Sequence, residues 1–276
     1  DQVYAAASSY LEWRRYGLFF SFIAILFRAF YIGITETRTL TLNSIVMVLS
    51  NIVFNYILIF GKFGFPALGI AGAAIGSSLA EVVSLLFYVA YTRLKVDKKK
   101  YALFQQFSFK LSEFKRIWNI SCWTMLQSIL FPSQWFLFFI AIEHLGERPL
   151  AIANIMRSIN TCFFMAIFAF SDTTSSMVSN LLGSGKEKSE IWLTCKRAIR
   201  LTYMIGIPFL LLSALFPTVL LQIYTNSQEL VQAALPTMYI MLLGYLLSAP
   251  GLVLFNAVSG TGNTSRSMKI MLITIS

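Results

Sequence analysis

Seven stretches of this chain are apolar for about the length a helix needs to cross a bilayer, and this feature narrows the choice of folds most. They run roughly over 16–33, 43–61, 70–92, 117–142, 151–182, 199–223 and 235–259, and an eighth begins near 268. A spanning helix needs about 20 mostly apolar residues. Hydrocarbon offers backbone amides no water, so a lipid-embedded segment must satisfy them itself, as helices and closed barrels do. Barrel strands are about half this length and alternate in polarity, which these runs do not. The fold class expected is therefore all-α, a polytopic transmembrane helix bundle. Composition agrees: 57% of the residues are hydrophobic and 12% charged, against about 45–50% and 25% in soluble domains. A soluble enzyme could not hide that apolar surface, and a disordered chain would carry far less of it. Cys122, Cys162 and Cys195 are widely spaced and form no CxxC pair, so they read as small apolar residues in a reducing or membrane setting.

The net charge of +10 is explained by where the charges sit. The connection 93–116 carries eight Lys and Arg, among them Lys98, Lys99 and Lys100, against Asp97 and Glu113. The stretch 183–200 adds Lys186, Lys188, Lys196, Arg197 and Arg200, whereas 143–149 and 222–234 are poor in basic residues. Basic connections thus alternate with helix crossings, as the positive-inside rule requires. The loops at 93–116, 183–200 and 261–269 are placed in the cytoplasm, and those near 62–69, 143–149 and 222–234 outside. With topology accounting for the basic excess, no nucleic-acid partner is expected. The partners expected are the lipid bilayer and a small-molecule substrate, with a monomer as the oligomeric state.

The long basic connection divides the chain into 1–92, a linker 93–116, and 117–276. A repeat supports two related halves. The first helix ends FRAFYIGITET (Phe27–Thr37) and the seventh ends FNAVSGTGNT (Phe255–Thr264), so Gly33–Thr37 and Gly260–Thr264 both fit G-x-x-[EN]-T. The copies lie six helices apart and run the same way through the membrane, as in transporters built from parallel repeats. The final apolar run is cut short at Ser276, which reads as a piece of a longer chain.

No catalytic set is visible. His144, the single histidine, falls in an outside loop. GSGK at Gly183–Lys186 lacks the earlier glycine of a P-loop, and Glu187 stands where Ser or Thr must follow the lysine. The chain is therefore expected not to be an enzyme, to carry no cofactor or metal and to use no ATP directly. Polar groups inside the apolar runs carry the functional candidates, because ionisable groups in a bilayer are costly. Glu81, near the middle of the third helix, is either a proton- or cation-carrying carboxylate, a partner for Arg28, or an acid kept neutral by burial. Asp172 opens the polar patch Asp172–Ser176, facing a cavity or another helix. Arg157 shares a face with Asn154 and Asn160, a face expected to line protein or water. Asn51 and Asn55 share a face of the second helix, and their amides suit either a hard cation such as sodium or interhelical hydrogen bonds.

NIVFNYILIFGKFGFPALGIAGAAIGSSLAE (Asn51–Glu81) resembles the fifth-to-sixth helix hairpin of the multidrug and toxic compound extrusion family, MATE. ERPLAIANIMRSI followed by SSMVSNLLGSGK (Glu147–Lys186) resembles its eighth helix, FNAVSGTGNT the exit of its tenth, and YLEWRRYG (Tyr10–Gly17) the start of its fourth. The resemblance implies two six-helix lobes, both incomplete here, with helices four to ten and the start of eleven present. It implies an antiporter of the bacterial inner membrane that exports amphipathic organic compounds, such as drugs and toxins, in exchange for H+ or Na+ by alternating access between the lobes. Family acids on helices seven and ten would fall near Phe131–Gln134 and Ser248, where no carboxylate stands; Gln134 is left as a cavity candidate with Arg157 and Asp172. An amino-lobe cation site would use Asn51, Asn55, Ser77 and the Ala73 carbonyl, with charge from a first helix absent here or from Glu81. Two other functions remain open, a lipid-linked saccharide flippase of the same superfamily and a non-transporting membrane scaffold.

Overall fold

The structure is a computed structural model that describes residues 2–97, 100–101, 103 and 110–275. Lys98 and Lys99 of the basic connection lie outside the described residues. Nine helices follow one another among them: α1 (Gln2–Gly33), α2 (Thr37–Phe60), α3 (Gly69–Lys95), α4 (Leu111–Glu143), α5 (Glu147–Gly183), α6 (Lys188–Leu215), α7 (Pro217–Gln222), α8 (Gln228–Gly260) and α9 (Thr264–Ile275). Seven of these are long and apolar enough to span a bilayer, α7 and α9 being the short ones. The chain is an all-helical, multi-pass membrane protein.

Hydropathy located the helices but misjudged several ends. α1 begins at Gln2, well before residue 16, because a helix can continue past the apolar zone with polar side chains in the interface. For the same reason most of 183–200 is not a loop, since α6 begins at Lys188 and carries Lys196, Arg197 and Arg200 as helical residues. The run 199–223 is two helices, broken at Phe216 so that Pro217 opens α7, where its missing N–H costs nothing.

The chain forms two compact units, Asp1–Ser108 and Phe109–Ser276. In the first, α3 packs against both α1 and α2. Its buried stripe repeats every fourth residue through Gly72, Gly76, Ala80, Ser84, Tyr88 and Thr92. Lipid tails are as apolar as leucine, so helices associate in a membrane through close packing and hydrogen bonds, which small residues permit. A Cβ on Gly72 would lie 2.5 Å from the Leu58 carbonyl oxygen, so the α2 backbone sits directly on this glycine. Lower down, Phe27 and Tyr31 of α1 stack on Tyr88, and the Tyr31 hydroxyl meets Thr92 Oγ1 at 2.7 Å.

In the second unit α5 and α8 form the centre. Met156 and Ile159 pack with Val231 and Met238 at one level, and Ile167 with Leu242 and Tyr245 at another. A Cβ on Gly260 would strike the Ser175 carbonyl, so α8 leaves the bundle in backbone contact with α5. Arg148 and Glu229 pair at 3.0 Å, joining two segments that charge asymmetry puts on the same side of the membrane.

The repeat reappears as matched turns. α1 and α8 both end on the glycine of the motif, three residues follow, and α2 and α9 both begin on its threonine. The backbone takes positive φ at the same place, Thr35 (63°) and Gly262 (81°). The N–H groups of those residues bond to carbonyls three back, Ile32 and Ser259.

Gly72→Leu is expected to destabilise the first unit by about 1–3 kcal/mol through overpacking. Gly244→Ala, where a Cβ meets nothing within 4 Å, should stabilise by up to about 1 kcal/mol. Thermal unfolding of the two purified variants in detergent checks the opposite signs.

Candidate functional site

The α2–α3 hairpin is held in register at its tip. Gly61 ends α2 with φ +65°, and the Ala67 backbone occupies the space a side chain there would need. The Leu68 N–H then returns to the Leu58 carbonyl at 2.9 Å, and α3 starts beside α2. This register sets the side chains of Asn51 and Asn55 against Ser77. Asn55 Nδ2 donates to Asn51 Oδ1 at 2.9 Å, and Asn51 Nδ2 donates to Ser77 Oγ at 3.2 Å. Asn55 Oδ1 is buried without a hydrogen-bond partner and faces bare backbone, for a Cβ on Gly76 would collide with it. Ala73 sits one turn before Ser77 and is half-buried; the helical pattern directs its carbonyl to the Ser77 N–H. The cluster thus offers amide and hydroxyl oxygens, the hard neutral donors that suit an alkali cation. Such groups neither take up nor release a proton at physiological pH.

Glu81 lies one turn further along α3, turned toward α1. Its partner is Arg14, not Arg28: Arg14 Nη2 donates to Glu81 Oε1 at 2.5 Å, and Arg28 is exposed. Arg14 precedes the apolar run 16–33, in the polar first part of α1 that hydropathy does not mark out. The Glu81 side chain is only 6% exposed and that of Arg14 26%. Glu81 Oε2 and Arg14 Nη1 are buried and have no hydrogen-bond partner. Both converge on Gly17, where a Cβ would lie 2.7 Å from Glu81 Oε2, 2.9 Å from Arg14 Nη1 and 2.5 Å from Ser78 Oγ. A side chain at 17 would displace all three tips from these positions.

Two further polar contacts continue down α3. Asn43 and Ser84 exchange hydrogen bonds at 2.8 and 3.1 Å, and Tyr31 reaches Thr92. The four-residue spacing of Gly72, Gly76, Ala80, Ser84, Tyr88 and Thr92 marks this seam in the sequence, small in its first half and hydroxyl-bearing in its second.

The candidates of the second unit do not assemble into one cluster. Arg157 is exposed, its guanidinium 5.3 Å from the Phe139 ring centroid, while Asn154 donates to its own helix at Leu150. Asp172 is exposed, and the hydroxyls of Thr173, Thr174 and Ser176 turn back to carbonyls of α5. Gln134 is exposed on α4, and Ser248 is half-buried on α8.

Breaking a buried ion pair leaves the other charge unpaired. Glu81→Gln and Arg14→Met should each destabilise the chain by about 1–3 kcal/mol, and the double substitution by clearly less than their sum. A double-mutant cycle on thermal stability measures the coupling, and a value near zero contradicts the geometry.

A family model described as MatE matches residues 124–276. A probable multidrug resistance protein NorM from Thermotoga maritima is 26% identical over 277 residues, covering 99% of this chain and 58% of that protein. An uncharacterized transporter, YisQ, from Bacillus subtilis is 25% identical over 79% of this chain and 46% of its own length. The chain thus spans about half the length of these relatives. Two crystal structures share its fold. One is described as MATE in complex with MaL6 (TM-score 0.80, 18% identity, 94% of this chain and 58% of that one), the other as MATE in the bent conformation (TM-score 0.79, 18% identity, 94% and 56%). With the family model covering more than half of its residues and its helices following the same course, the chain belongs to the MatE family.

Proposed function

We propose that these helices are part of a secondary active antiporter of the bacterial inner membrane, which exports amphipathic organic compounds in exchange for H+ or Na+. The observation that carries this reading is the Asn51–Asn55–Ser77 cluster, an oxygen-rich group with one unpartnered buried amide oxygen between two membrane-spanning helices. The relatives named for multidrug resistance support the substrate class. A cation crossing a bilayer must exchange its water for such oxygens, because an unsolvated charge there is costly. The cluster is neutral, and the charge of Glu81 is balanced by Arg14. The cluster therefore serves as a ligand set whose countercharge comes from elsewhere. On this reading the protein is a transporter and not an enzyme. It works as a monomer, with no cofactor beyond its coupling ion.

Transport requires two complete lobes, so residues 1–276 alone should give no cation-driven efflux from proteoliposomes. In a chain with both lobes complete, Asn51→Ala and Asn55→Ala should lower export driven by an imposed sodium or pH gradient by about tenfold or more, an amount equal to about 1.4 kcal/mol. Gln134→Ala and Ser248→Ala should change it little. Unimpaired export in the Asn51/Asn55 double variant at equal expression would return these residues to a purely structural role.

A further inference from the structure

We infer that α6 carries a binding site for an anionic phospholipid of the cytoplasmic leaflet, on a face that plays no part in the proposed cation site. A shallow groove of about 520 Å³, open to its surroundings and lined by α6 alone, runs along this helix. Lys196 and Arg200 stand at its head, Ile199, Tyr203 and Met204 form its floor, and Ile207 and Pro208 its far end. Lys196 and Arg200 are one turn apart, so their Cβ atoms lie about 6 Å from each other, and two cationic groups can close on one phosphate.

The charges there are unbalanced. The salt bridges among the described residues are Arg14–Glu81, Arg148–Glu229 and Lys186–Glu190, none of which uses Lys196 or Arg200. Lys196 Nζ instead lies 5.4 Å from the ring centroid of Trp192, one turn nearer the helix start. Tryptophan favours the headgroup level, and the basic end of α6 is cytoplasmic by charge asymmetry. Beyond Arg200 the outward side chains turn apolar, with Met204, Ile205, Ile207 and Phe209 all exposed. Polarity along the groove therefore changes in the order of a phospholipid, phosphate first and acyl chain after.

The Tyr203 hydroxyl donates to the Leu246 carbonyl of α8 at 2.5 Å, which holds the ring in place. Pro208 lies inside α6 and has no N–H to give to the Met204 carbonyl, so that carbonyl lacks its usual helical partner beside the groove. Two cations without counterions select a negative headgroup over a zwitterion, whose amine they would repel.

Native mass spectrometry of the purified chain in detergent tests this. It is titrated with phosphatidylglycerol or phosphatidylethanolamine of identical acyl chains. One phosphatidylglycerol should be retained in preference, and Lys196→Gln/Arg200→Gln should lower its retention about tenfold while leaving phosphatidylethanolamine unchanged. Ile207→Trp, which blocks the groove and keeps both charges, should also release the lipid, and helicity by circular dichroism confirms that each variant is folded. Glycerol 3-phosphate should not compete at equal concentration. The site is refuted if both lipids are held equally, if neither is held, or if Arg197→Gln, outside the groove, has as large an effect. Displacement by glycerol 3-phosphate, or full retention in Ile207→Trp, refutes the acyl groove.

Discussion

A backbone N–H or C=O inside a bilayer has no water to turn to, and the rest of this structure depends on that constraint. It makes each spanning segment a helix whose hydrogen bonds close within itself. It also removes the usual driving force for packing, since lipid is no worse a solvent for leucine than another helix is. What brings the helices together is contact close enough for backbones to touch, at Gly72 on Leu58 and Gly260 on Ser175, together with hydrogen bonds that have no competitor.

α3 shows how both devices serve one element. Its glycines admit the α2 backbone, and the same stripe carries the polar residues that meet Asn43, Asn51 and Tyr31. Gly17 does the corresponding service from α1, making room for the Arg14–Glu81 pair. The seam that holds this unit together thus contains its candidate ligands as well. Where every partner is satisfied, as at Asn43 and Ser84, the seam acts as glue. At Asn55 Oδ1 one acceptor is left over, and the proposed cation site rests on that surplus.

The outward surface follows a different logic. Exposed phenylalanine and leucine side chains along α4, α6 and α8 meet a solvent that is itself apolar, so their exposure costs nothing. Charge is the scarce quantity on such a surface, and its placement carries the information. At the head of α6 it sits above an apolar groove without a counterion of its own.

Fold class and the seven helices of spanning length were legible in the sequence, because apolar run length is a local property that the bilayer reads directly. The Asn51/Asn55 pair was legible too, since one helical turn of spacing suffices to put two residues on one face. The G-x-x-[EN]-T turns were visible as a repeat, and their shared backbone geometry emerged only in three dimensions. Helix ends were poorly predicted at α1 and α6, for a helix does not stop where its apolar side chains do. Only the tertiary structure decided that Glu81 meets Arg14 and not Arg28, and that Asn55 keeps an oxygen free above Gly76. It also decided that hydroxyls of α5 turn back on carbonyls of their own helix. The pairing of residues far apart in sequence depends on helix register and approach distance. Those are set by which glycine lets which backbone come near, and no periodicity within a single helix records that.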